Sequence, residues 1–224
     1  LLFLPGPPSG AFGLPLVDAL PAGRAALAAG DVDGDGKPDV VAAGTQGNQV
    51  YLLRNSSTGP GKLQLSGALA YPVGVGPSAV ALGDVSGDGR LDVVTVNSGG
   101  GGDYSVLLGQ EGGTLRALAP QRLPGGLSPS FGALADLNGD GRLDLLTLQR
   151  GSTDLAVSLG QGDGSFRLAQ LYGVGAAPIF VGVVDLDGDK RPDVYISNTL
   201  AAAGAPLSYS AQPNSLSVLL SLPR

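Results

Sequence analysis

The chain has 224 residues, of which 43% are hydrophobic and 14% are charged, and its formal net charge is −6. This composition excludes a disordered chain, and the length is sufficient for one domain with a buried core. The chain contains no His, Cys, Met or Trp, which excludes catalysis by a Cys or His nucleophile or base, soft-metal sites and haem held by its usual ligands. The sequence has no basic patch that would bind nucleic acid and no apolar stretch long enough to span a membrane.

In chain order, two short apolar segments at residues 1–4 and 12–17 come first, and both are predicted to be strands. Four repeats follow, with approximate bounds of 24–71, 77–123, 129–172 and 178–224. In each repeat, brief apolar runs alternate with turns rich in Gly, Pro and Asp, a pattern that predicts short buried strands. The predicted first strands are 25–30, 79–83, 132–135 and 180–184, and the second strands are 40–43, 93–96, 145–148 and 194–197. Third strands are predicted at 50–53, 105–108, 156–159 and 216–220, and fourth strands at 63–65, 115–118 and 166–168.

A nine-residue segment rich in Asp and Gly lies between the first and second strands of every repeat. These segments, named loops 1 to 4, cover residues 31–39, 84–92, 136–144 and 185–193, and their period of about 50 residues is typical of a repeat architecture. Side chains that carry oxygen occupy positions 1, 3, 5 and 9, and glycine occupies position 4 and usually position 6. A single such segment is explained equally well by a solvated turn. However, the four loops contain 14 of the 19 acidic residues, which indicates that they bind cations.

Hard cations such as calcium bind about six to eight oxygen atoms from carboxylates, carbonyls and water, and the loops supply such atoms. The main-chain carbonyl of position 7 is the expected additional ligand. An EF-hand is excluded because position 12 is Ala42, Thr95, Thr147 or Ile196 instead of the required Glu. We therefore predict up to four Ca²⁺ ions. The predicted ligand residues are Asp31, Asp33, Asp35, Lys37 and Asp39; Asp84, Ser86, Asp88, Arg90 and Asp92; Asp136, Asn138, Asp140, Arg142 and Asp144; and Asp185, Asp187, Asp189, Arg191 and Asp193.

The four loops differ in the number of carboxylates that they offer. Loops 1 and 4 each offer four, whereas Ser86 in loop 2 and Asn138 in loop 3 replace the Asp of position 3 and leave three. Calcium generally binds more tightly where more carboxylates are present. Loop 4, however, has Lys190 at position 6, where a positive φ would strain any residue other than glycine. We therefore expect loop 1 to be the tightest site.

Four short strands in each repeat of about 50 residues predict an all-β fold, a β-propeller of four blades in one domain. The pattern Asp-x-Asp-x-Asp-Gly-x-x-Asp resembles the FG-GAP/VCBS repeat, and residues 80–96 and 157–166 carry the resemblance best. Such repeats also build the calcium-bearing blades of integrin α-subunit propellers. The resemblance implies a calcium loop between the first two strands of each blade and a secreted protein, extracellular or on the cell surface. It leaves the function open, since these repeats occur in adhesins, lectins and other surface proteins.

The predicted strands do not fill four complete blades. Phe12 and Phe166 lie at the same distance before the Asp that opens the next loop, so Leu1 to Val17 corresponds to a third and a fourth strand. The last repeat has no predicted fourth strand. Three interpretations are open: a closed four-blade monomer, a piece of a longer propeller, or strand exchange, in which residues 1–23 complete a blade of a neighbouring subunit.

We expect a non-enzymatic structural or adhesion module outside cells, because millimolar extracellular calcium fills weak sites that cytosolic calcium leaves empty. A carbohydrate-binding lectin and a strand-exchanged homopolymer or filament are the alternatives. The expected partner is accordingly the chain itself, a surface protein or a glycan. Repeat 4 contains an insertion from Leu200 to Asn214, which is the best candidate for contact with a partner.

Overall fold

A computed structural model of the chain describes residues 2–3, 16–17, 25–45, 47–59, 63–123, 129–149, 153–199 and 214–221. Within these ranges every regular element is a β-strand, and they contain no helix that is long and apolar enough to cross a membrane. The strands are β1 (Leu2–Phe3), β2 (Leu16–Val17), β3 (Ala25–Gly30), β4 (Asp39–Gly44), β5 (Gln49–Leu53), β6 (Leu69–Pro72), β7 (Pro77–Gly83), β8 (Asp92–Asn97), β9 (Asp103–Gly109), β10 (Leu115–Ala117), β11 (Gln121–Arg122), β12 (Pro129–Ala135), β13 (Asp144–Gln149), β14 (Asp154–Ser158), β15 (Gln170–Gly173), β16 (Pro178–Val184), β17 (Asp193–Thr199) and β18 (Asn214–Leu219).

Four antiparallel sheets are the blades of a four-bladed β-propeller, which confirms the predicted fold class. In the described part of the chain, blade 1 contains β3 to β6, blade 2 β7 to β11, blade 3 β12 to β15, and blade 4 β16 to β18. Within each blade the first three strands lie side by side in chain order, and loops 1 to 4 join the first strand to the second. Every loop therefore occupies the same corner of its blade.

The second strand is the most buried element of a blade. Every residue of β4, β8 and β13 is buried, because each strand has paired strands on both edges and packed side chains on both faces. Their sequences are accordingly almost continuous apolar runs. In β17, by contrast, buried residues mostly alternate with half-buried ones. One face of blade 4 is therefore less covered than the corresponding faces of blades 1 to 3.

Neighbouring blades pack face to face, and their first strands lie in these contacts: β3 against β7, β7 against β12, and β12 against β16. An apolar cluster fills each of the three interfaces. Representative members are Val41, Leu52 and Leu107 between blades 1 and 2, Val94, Val106 and Leu145 between blades 2 and 3, and Leu146, Leu155 and Val194 between blades 3 and 4. Among the described residues no contact of comparable extent joins β3 to β16. Packed interfaces of this kind therefore join blade 1 to blade 2, blade 2 to blade 3 and blade 3 to blade 4, but not blade 4 to blade 1.

The fourth strands of blades 1 and 3 lie farther along the chain than predicted. The sequence pattern placed them at 63–65 and 166–168, whereas in the structure the outermost strands of these blades are β6 and β15. Leu65 and Phe166 each form only an isolated bridge to the third-strand side of the blade. The prediction was wrong because the Pro and Gly of β6 and β15 suggested linkers, although an outermost strand tolerates both residues.

The first two strands form a separate ribbon whose register repeats that of an outer hairpin of a blade. The paired residues are Leu2–Val17 and Phe3–Leu16 in the ribbon, and Ala156–Leu171 and Val157–Gln170 in blade 3. Both sets of pairs lie at the same distance before the loop that follows them. The pairing agrees with the assignment of these segments to a third and a fourth strand. Whether residues 1–23 complete a terminal blade stays a prediction.

Candidate metal sites

The Asp at position 1 holds the turn of each loop together. In loop 1, Asp31 Oδ1 accepts hydrogen bonds from the N–H groups of Gly34 (2.8 Å) and Asp35 (3.1 Å), and Asp31 Oδ2 accepts one from Gly36 (2.8 Å). The first Asp of loops 2 and 3 accepts the same three bonds, and that of loop 4 accepts two of them. A carboxylate offers about four acceptor sites, so position 1 shapes the backbone and retains capacity for a cation.

Positions 4 and 6 both require a left-handed backbone. In loop 1 the φ angles are 78° at Gly34 and 84° at Gly36, and the other loops have the same conformation. In loop 4, position 6 is Lys190 with a φ of 69°, as expected from the spacing. Its N–H still donates to Asp185 Oδ2 at 2.9 Å. This bond is kept at a cost of about 1–2 kcal/mol, because a side chain crowds the left-handed conformation.

The Asp at position 9 is fully buried and ties its loop to the end of the third strand. Asp39 Oδ2 accepts a hydrogen bond from the Val32 N–H at 2.9 Å, and Asp39 Oδ1 accepts one from the Asn55 N–H at 2.8 Å. The same pair of bonds recurs in the other three loops. Sequence reasoning assigned this Asp to the cation alone and missed the second role. The available signal was its place directly before an apolar strand in all four repeats.

The surroundings of these carboxylates shift their titration. Burial raises the pKa of Asp92 and of Asp144 above the ordinary range of a carboxyl. The N–H groups of Ser221 and Leu186 lower the pKa of Asp193, because they stabilise its charged form. At Asp92 and Asp144 burial therefore outweighs the hydrogen bonds that favour the anion, whereas at Asp193 the hydrogen bonds outweigh burial. A nearby cation would favour the anion further.

Position 5 points toward the side chain of position 7 in loops 1 and 2. Asp35 Oδ2 lies 3.0 Å from Lys37 Nζ, and Asp88 Oδ2 lies 2.9 Å from Arg90 Nη1. The Lys37 side chain lowers the pKa of Asp35, and the Arg90 N–H is the main cause of the lowered pKa of Asp88. In every loop the N–H of position 7 donates to Oδ1 of position 5. The role of the position-7 carbonyls of Lys37, Arg90, Arg142 and Arg191 as ligands stays a prediction.

Three carboxylates converge in loops 1 and 4. Ligand oxygens of Asp31, Asp33 and Asp39 all lie within 4.8 Å of one another, and those of Asp185, Asp187 and Asp193 do the same. In the described ranges no other group of three acidic residues converges in this way. Loops 2 and 3 carry Ser86 and Asn138 at position 3 in place of an Asp. The structure therefore brings together positions 1, 3 and 9 where all three are Asp, and position 5 lies outside this group.

The donor set of these groups fits a hard cation. The three converging carboxylates each offer one oxygen, which is the donor atom that calcium prefers, and no softer donor is present in the group. Like charges a few ångströms apart repel by about 4 kcal/mol per pair at a typical protein surface. The position-9 carboxylate is also buried, which increases the unfavourable free energy of an uncompensated charge. A divalent cation held by positions 1, 3 and 9 would remove this repulsion.

The following blade supports loops 1 and 2. Near loop 1, Arg54 Nη2 donates hydrogen bonds to the carbonyls of Gly112 (2.9 Å) and Gly113 (2.6 Å) in blade 2. In loop 2, the carbonyl of Val85 accepts a hydrogen bond from the Gly164 N–H of blade 3 at 2.9 Å. A hairpin between the third and fourth strands supplies both contacts. Blade 4 has no fourth strand among the described residues, and it offers loop 3 no such contact there.

The predicted partner segment in repeat 4 cannot be compared with the structure. Of the insertion from Leu200 to Asn214, residues 200–213 lie outside the described ranges. Asn214 is the first residue of β18.

Three overlapping stretches of the chain, residues 31–95, 84–147 and 136–196, match the family model of the FG-GAP-like repeat. The chain belongs to the FG-GAP-like repeat family. The matched region of this FG-GAP-like chain contains all four loops, and each match runs from one loop into the second strand of the next blade. Among curated proteins, no sequence matches the FG-GAP-like chain.

Several solved structures resemble the FG-GAP-like chain. The V. cholerae biofilm matrix protein Bap1 is 21% identical, with a TM-score of 0.48 over 87% of this chain and 26% of Bap1. BBS1N, solved in complex with ARL6DN, is 12% identical, with a TM-score of 0.54 over 79% of this chain and 52% of BBS1N. A Lactobacillus plantarum protein is 15% identical, with a TM-score of 0.50 over 88% of this chain and 55% of that protein. The FG-GAP-like chain thus spans only part of each, and the likeness to the last two shows the fold alone.

Proposed function

We propose that this chain is an extracellular calcium-binding β-propeller that serves as a non-enzymatic structural or adhesion module. The observation that carries the proposal is the convergence of Asp31, Asp33 and Asp39 to within 4.8 Å in loop 1, which recurs in loop 4. Membership of the FG-GAP-like repeat family supports it, because the same loop occupies the same corner of every blade.

Calcium would be held in loops 1 and 4 by the carboxylates of positions 1, 3 and 9. When bound, the ion supplies the positive charge that compensates these carboxylates. Position 9 transmits the effect to the blade, since Asp39 is hydrogen-bonded to Val32 of the loop and to Asn55 beyond the third strand. Order in the loop and order at the outer end of the blade are therefore coupled. Loops 2 and 3 would bind more weakly, because position 3 supplies a hydroxyl or an amide.

The extracellular location follows from the expected affinity. Exposed loops that offer three clustered carboxylates, or two with a neutral oxygen, suit the weak extracellular class of calcium sites with dissociation constants of about 0.1–1 mM. Millimolar calcium outside cells fills such sites, whereas cytosolic calcium leaves them empty. The chain has no cysteine for disulfides, so bound cations would be its main means of rigidification.

The non-enzymatic role is supported by how the acidic groups are used. Position 1 is engaged by backbone N–H groups, and position 9 is buried and bonded on both oxygens. With no His or Cys in the chain, these acids have no neighbouring base or nucleophile of the usual kind. The lectin interpretation stays a prediction.

Isothermal titration with Ca²⁺ tests the proposal on the full chain after chelation and dialysis. The variant Asp33→Asn removes one clustered carboxylate from loop 1, and we expect it to weaken the tightest site about tenfold or more. Glu111→Gln, which changes the charge equally at an exposed residue outside the loops, should titrate like the unsubstituted protein. Absence of binding heat in the unsubstituted chain, or identical titrations for both variants, would contradict the proposal.

A further inference from the structure

Blade 4 exposes the face that the other blades bury. Leu155 of blade 3 and Leu216 of blade 4 hold the same register position, since each pairs with the residue four places after the last Asp of its loop. Leu155 is 1% exposed, whereas Leu216 is 66% exposed. On the same face of blade 4, Phe180, Leu186 and Val218 are 42%, 50% and 45% exposed. In blades 1 to 3 the corresponding residues pack against the next blade.

A cleft of about 500 Å³ lies on the opposite face of blade 4, between blades 3 and 4. Its lining is mostly apolar. The lining residues are Leu137, Leu155, Val157 and Tyr172 of blade 3 and Val194 and Leu219 of blade 4, with further residues at the rim. The cleft is therefore an open part of an interface that is otherwise packed.

One side chain fills this place in each of the two preceding interfaces. Between blades 1 and 2, Leu115 belongs to the apolar cluster, and its N–H donates to Tyr71 Oη at 3.3 Å. Between blades 2 and 3, Phe166 belongs to the cluster and packs edge-on against Tyr104, with ring centroids 5.5 Å apart. Leu115 lies opposite Gly109, and Phe166 lies opposite Gly160. The N–H groups of these two glycines donate to the position-9 Asp of loops 2 and 3. Leu115 and Phe166 begin the fourth-strand side of their blades.

No described residue takes this position in blade 4. Tyr172 and Leu155, which correspond to Tyr71 and Tyr104, line the open cleft instead. The Ser221 N–H is bonded to Asp193 Oδ1, so the missing side chain would lie opposite Ser221. Among described strands, β18 pairs with β17 alone, and its outer edge offers backbone groups to another strand.

Residues 10–17 have the sequence of the missing strand. Gly10-Ala11-Phe12 repeats the pattern of the two filling segments, Gly113-Thr114-Leu115 and Gly164-Ser165-Phe166. Residues 16–17 also pair with β1 in the register that a fourth strand has with a third. Phe12 therefore corresponds to Leu115 and Phe166, the residues that fill the other two interfaces.

We propose that the cleft between blades 3 and 4, with the outer edge of β18, accepts residues 10–17 of a second copy of this chain, so that Phe12 enters the cleft. A second copy is favoured over the same chain because the donor segment precedes blade 1, whose first strand has no contact of comparable extent with that of blade 4 in the described residues. Docking would exchange the pairing of residues 16–17 with β1 for the equivalent pairing with β18. Donor and acceptor differ, so the association is head to tail and generates a ring or a fibre.

Docking would also support loop 3. The Gly164 N–H donates to the Val85 carbonyl of loop 2, and Gly10 of the incoming segment corresponds to Gly164. Its N–H is therefore expected to reach the carbonyl of Leu137 in loop 3. The exposed face of blade 4 lies next to the incoming strand and would be covered by the rest of the second copy. Such an interface uses strand addition for its geometry and an apolar anchor for its affinity.

Light scattering after size exclusion tests this association on the full chain in calcium-containing buffer. We expect a mass above the 22.1 kDa of one chain. Phe12→Asp should weaken association about 100-fold or more, because a charge replaces the apolar anchor, whereas Phe12→Leu should keep it, since leucine fills the first interface. Circular dichroism confirms that both variants are folded. A monomer at all concentrations, or equal association of both variants, would overturn the proposal.

Engineered cysteines identify the donor, since the chain has none of its own. The proposed register places Val17 opposite Ser217. A mixture of the single variants Val17→Cys and Ser217→Cys should yield a disulfide-linked dimer on oxidation, because directly opposed residues of paired strands are close enough to crosslink. Val17→Cys mixed with Ser221→Cys, which is out of register, should yield far less. If instead the double variant Val17→Cys/Ser217→Cys crosslinks only within one monomeric chain, the assignment to a second copy is overturned.

Discussion

Blades 3 and 4 share a loop, a register and an apolar sequence, yet they differ in what covers them. Every residue of β13 is buried, whereas residues of β17 are partly exposed at alternate positions toward its end. Leu155 and Leu216 hold the same register position in their blades, and Leu155 is buried whereas Leu216 is exposed. Burial of this face therefore depends on the blade that packs against it: in blades 1 to 3 the following blade covers it, whereas none of the described blades covers it in blade 4.

The loops show a parallel difference. Loop 4 has the same convergent carboxylates as loop 1, but it has Lys190 at a left-handed position and an exposed Leu186 where loop 1 has the buried Val32. We therefore expect the order of loop 4 to depend most strongly on a bound cation.

Removal of calcium should have the largest effect and should widen the difference between the blades. A site at ten times its dissociation constant adds about 1.4 kcal/mol to the free energy of unfolding, so four independent sites would add about 6 kcal/mol. We expect EGTA to lower the unfolding temperature sharply and to increase hydrogen exchange in β17 before β13. Mg²⁺ at equal ionic strength is the control. An unchanged melt, or simultaneous exchange in both strands, would contradict this expectation.

Truncation of the two matched leucines measures the difference directly. Leu155→Ala should lower the free energy of unfolding by about 2–5 kcal/mol, because it opens a cavity in a packed interface. Leu216→Ala should change it by about 0.5 kcal/mol or less in the monomer, because this side chain is exposed. Urea unfolding of dilute protein gives both values. Similar losses for the two variants would mean that blade 4 is covered in solution even at low concentration.

Two substitutions at position 6 of the loops, where the backbone is left-handed, should change the stability of the chain by smaller amounts and in opposite directions. Lys190→Gly should stabilise the chain by about 1 kcal/mol, because glycine adopts a positive φ without strain. Gly141→Ala in loop 3 should destabilise it by about the same amount, because its φ is 82° and an added methyl group would meet no atom within 4 Å. Urea unfolding in excess calcium compares the two. Equal signs would show that something other than backbone strain decides the result.

The effect of Tyr104 on stability depends on pH. Burial raises the pKa of Tyr104 to about 12 from the ordinary value of 10.0. Folding therefore favours the neutral phenol, and its contribution is fully present below pH 10 and is lost as the pH rises toward 12. Tyr104→Phe should lose about 1 kcal/mol at neutral pH through the missing hydrogen bond to Gln121. Alkaline unfolding curves should show a weaker decline for this variant between pH 10 and 12.

The loops could be predicted from the sequence because their chemistry is local. The Asp side chains and the glycines that allow the turn lie within nine residues, and four copies repeat the pattern. The convergence of positions 1, 3 and 9 in loops 1 and 4 follows from this spacing. The second role of Asp39 was missed, because its other partner, Asn55, belongs to the end of the third strand.

Non-local packing explains what the sequence did not show. The position of β6 was missed because its outermost place, where Pro72 is tolerated, is a property of the sheet and not of the segment. The exposure of Leu216 could not be predicted either. It and Leu155 lie in similar apolar runs, and they differ only in the blade that lies beyond them.

The number of calcium ions bound to each chain tests the central claim most directly. Native mass spectrometry after equilibration in calcium, with a chelated sample as control, counts them. We expect at least two ions, at loops 1 and 4, rising to four as loops 2 and 3 fill. At low calcium we expect one ion fewer for Asp33→Asn, but not for Glu111→Gln. A chain that binds no calcium under these conditions would contradict the assignment of the loops to calcium.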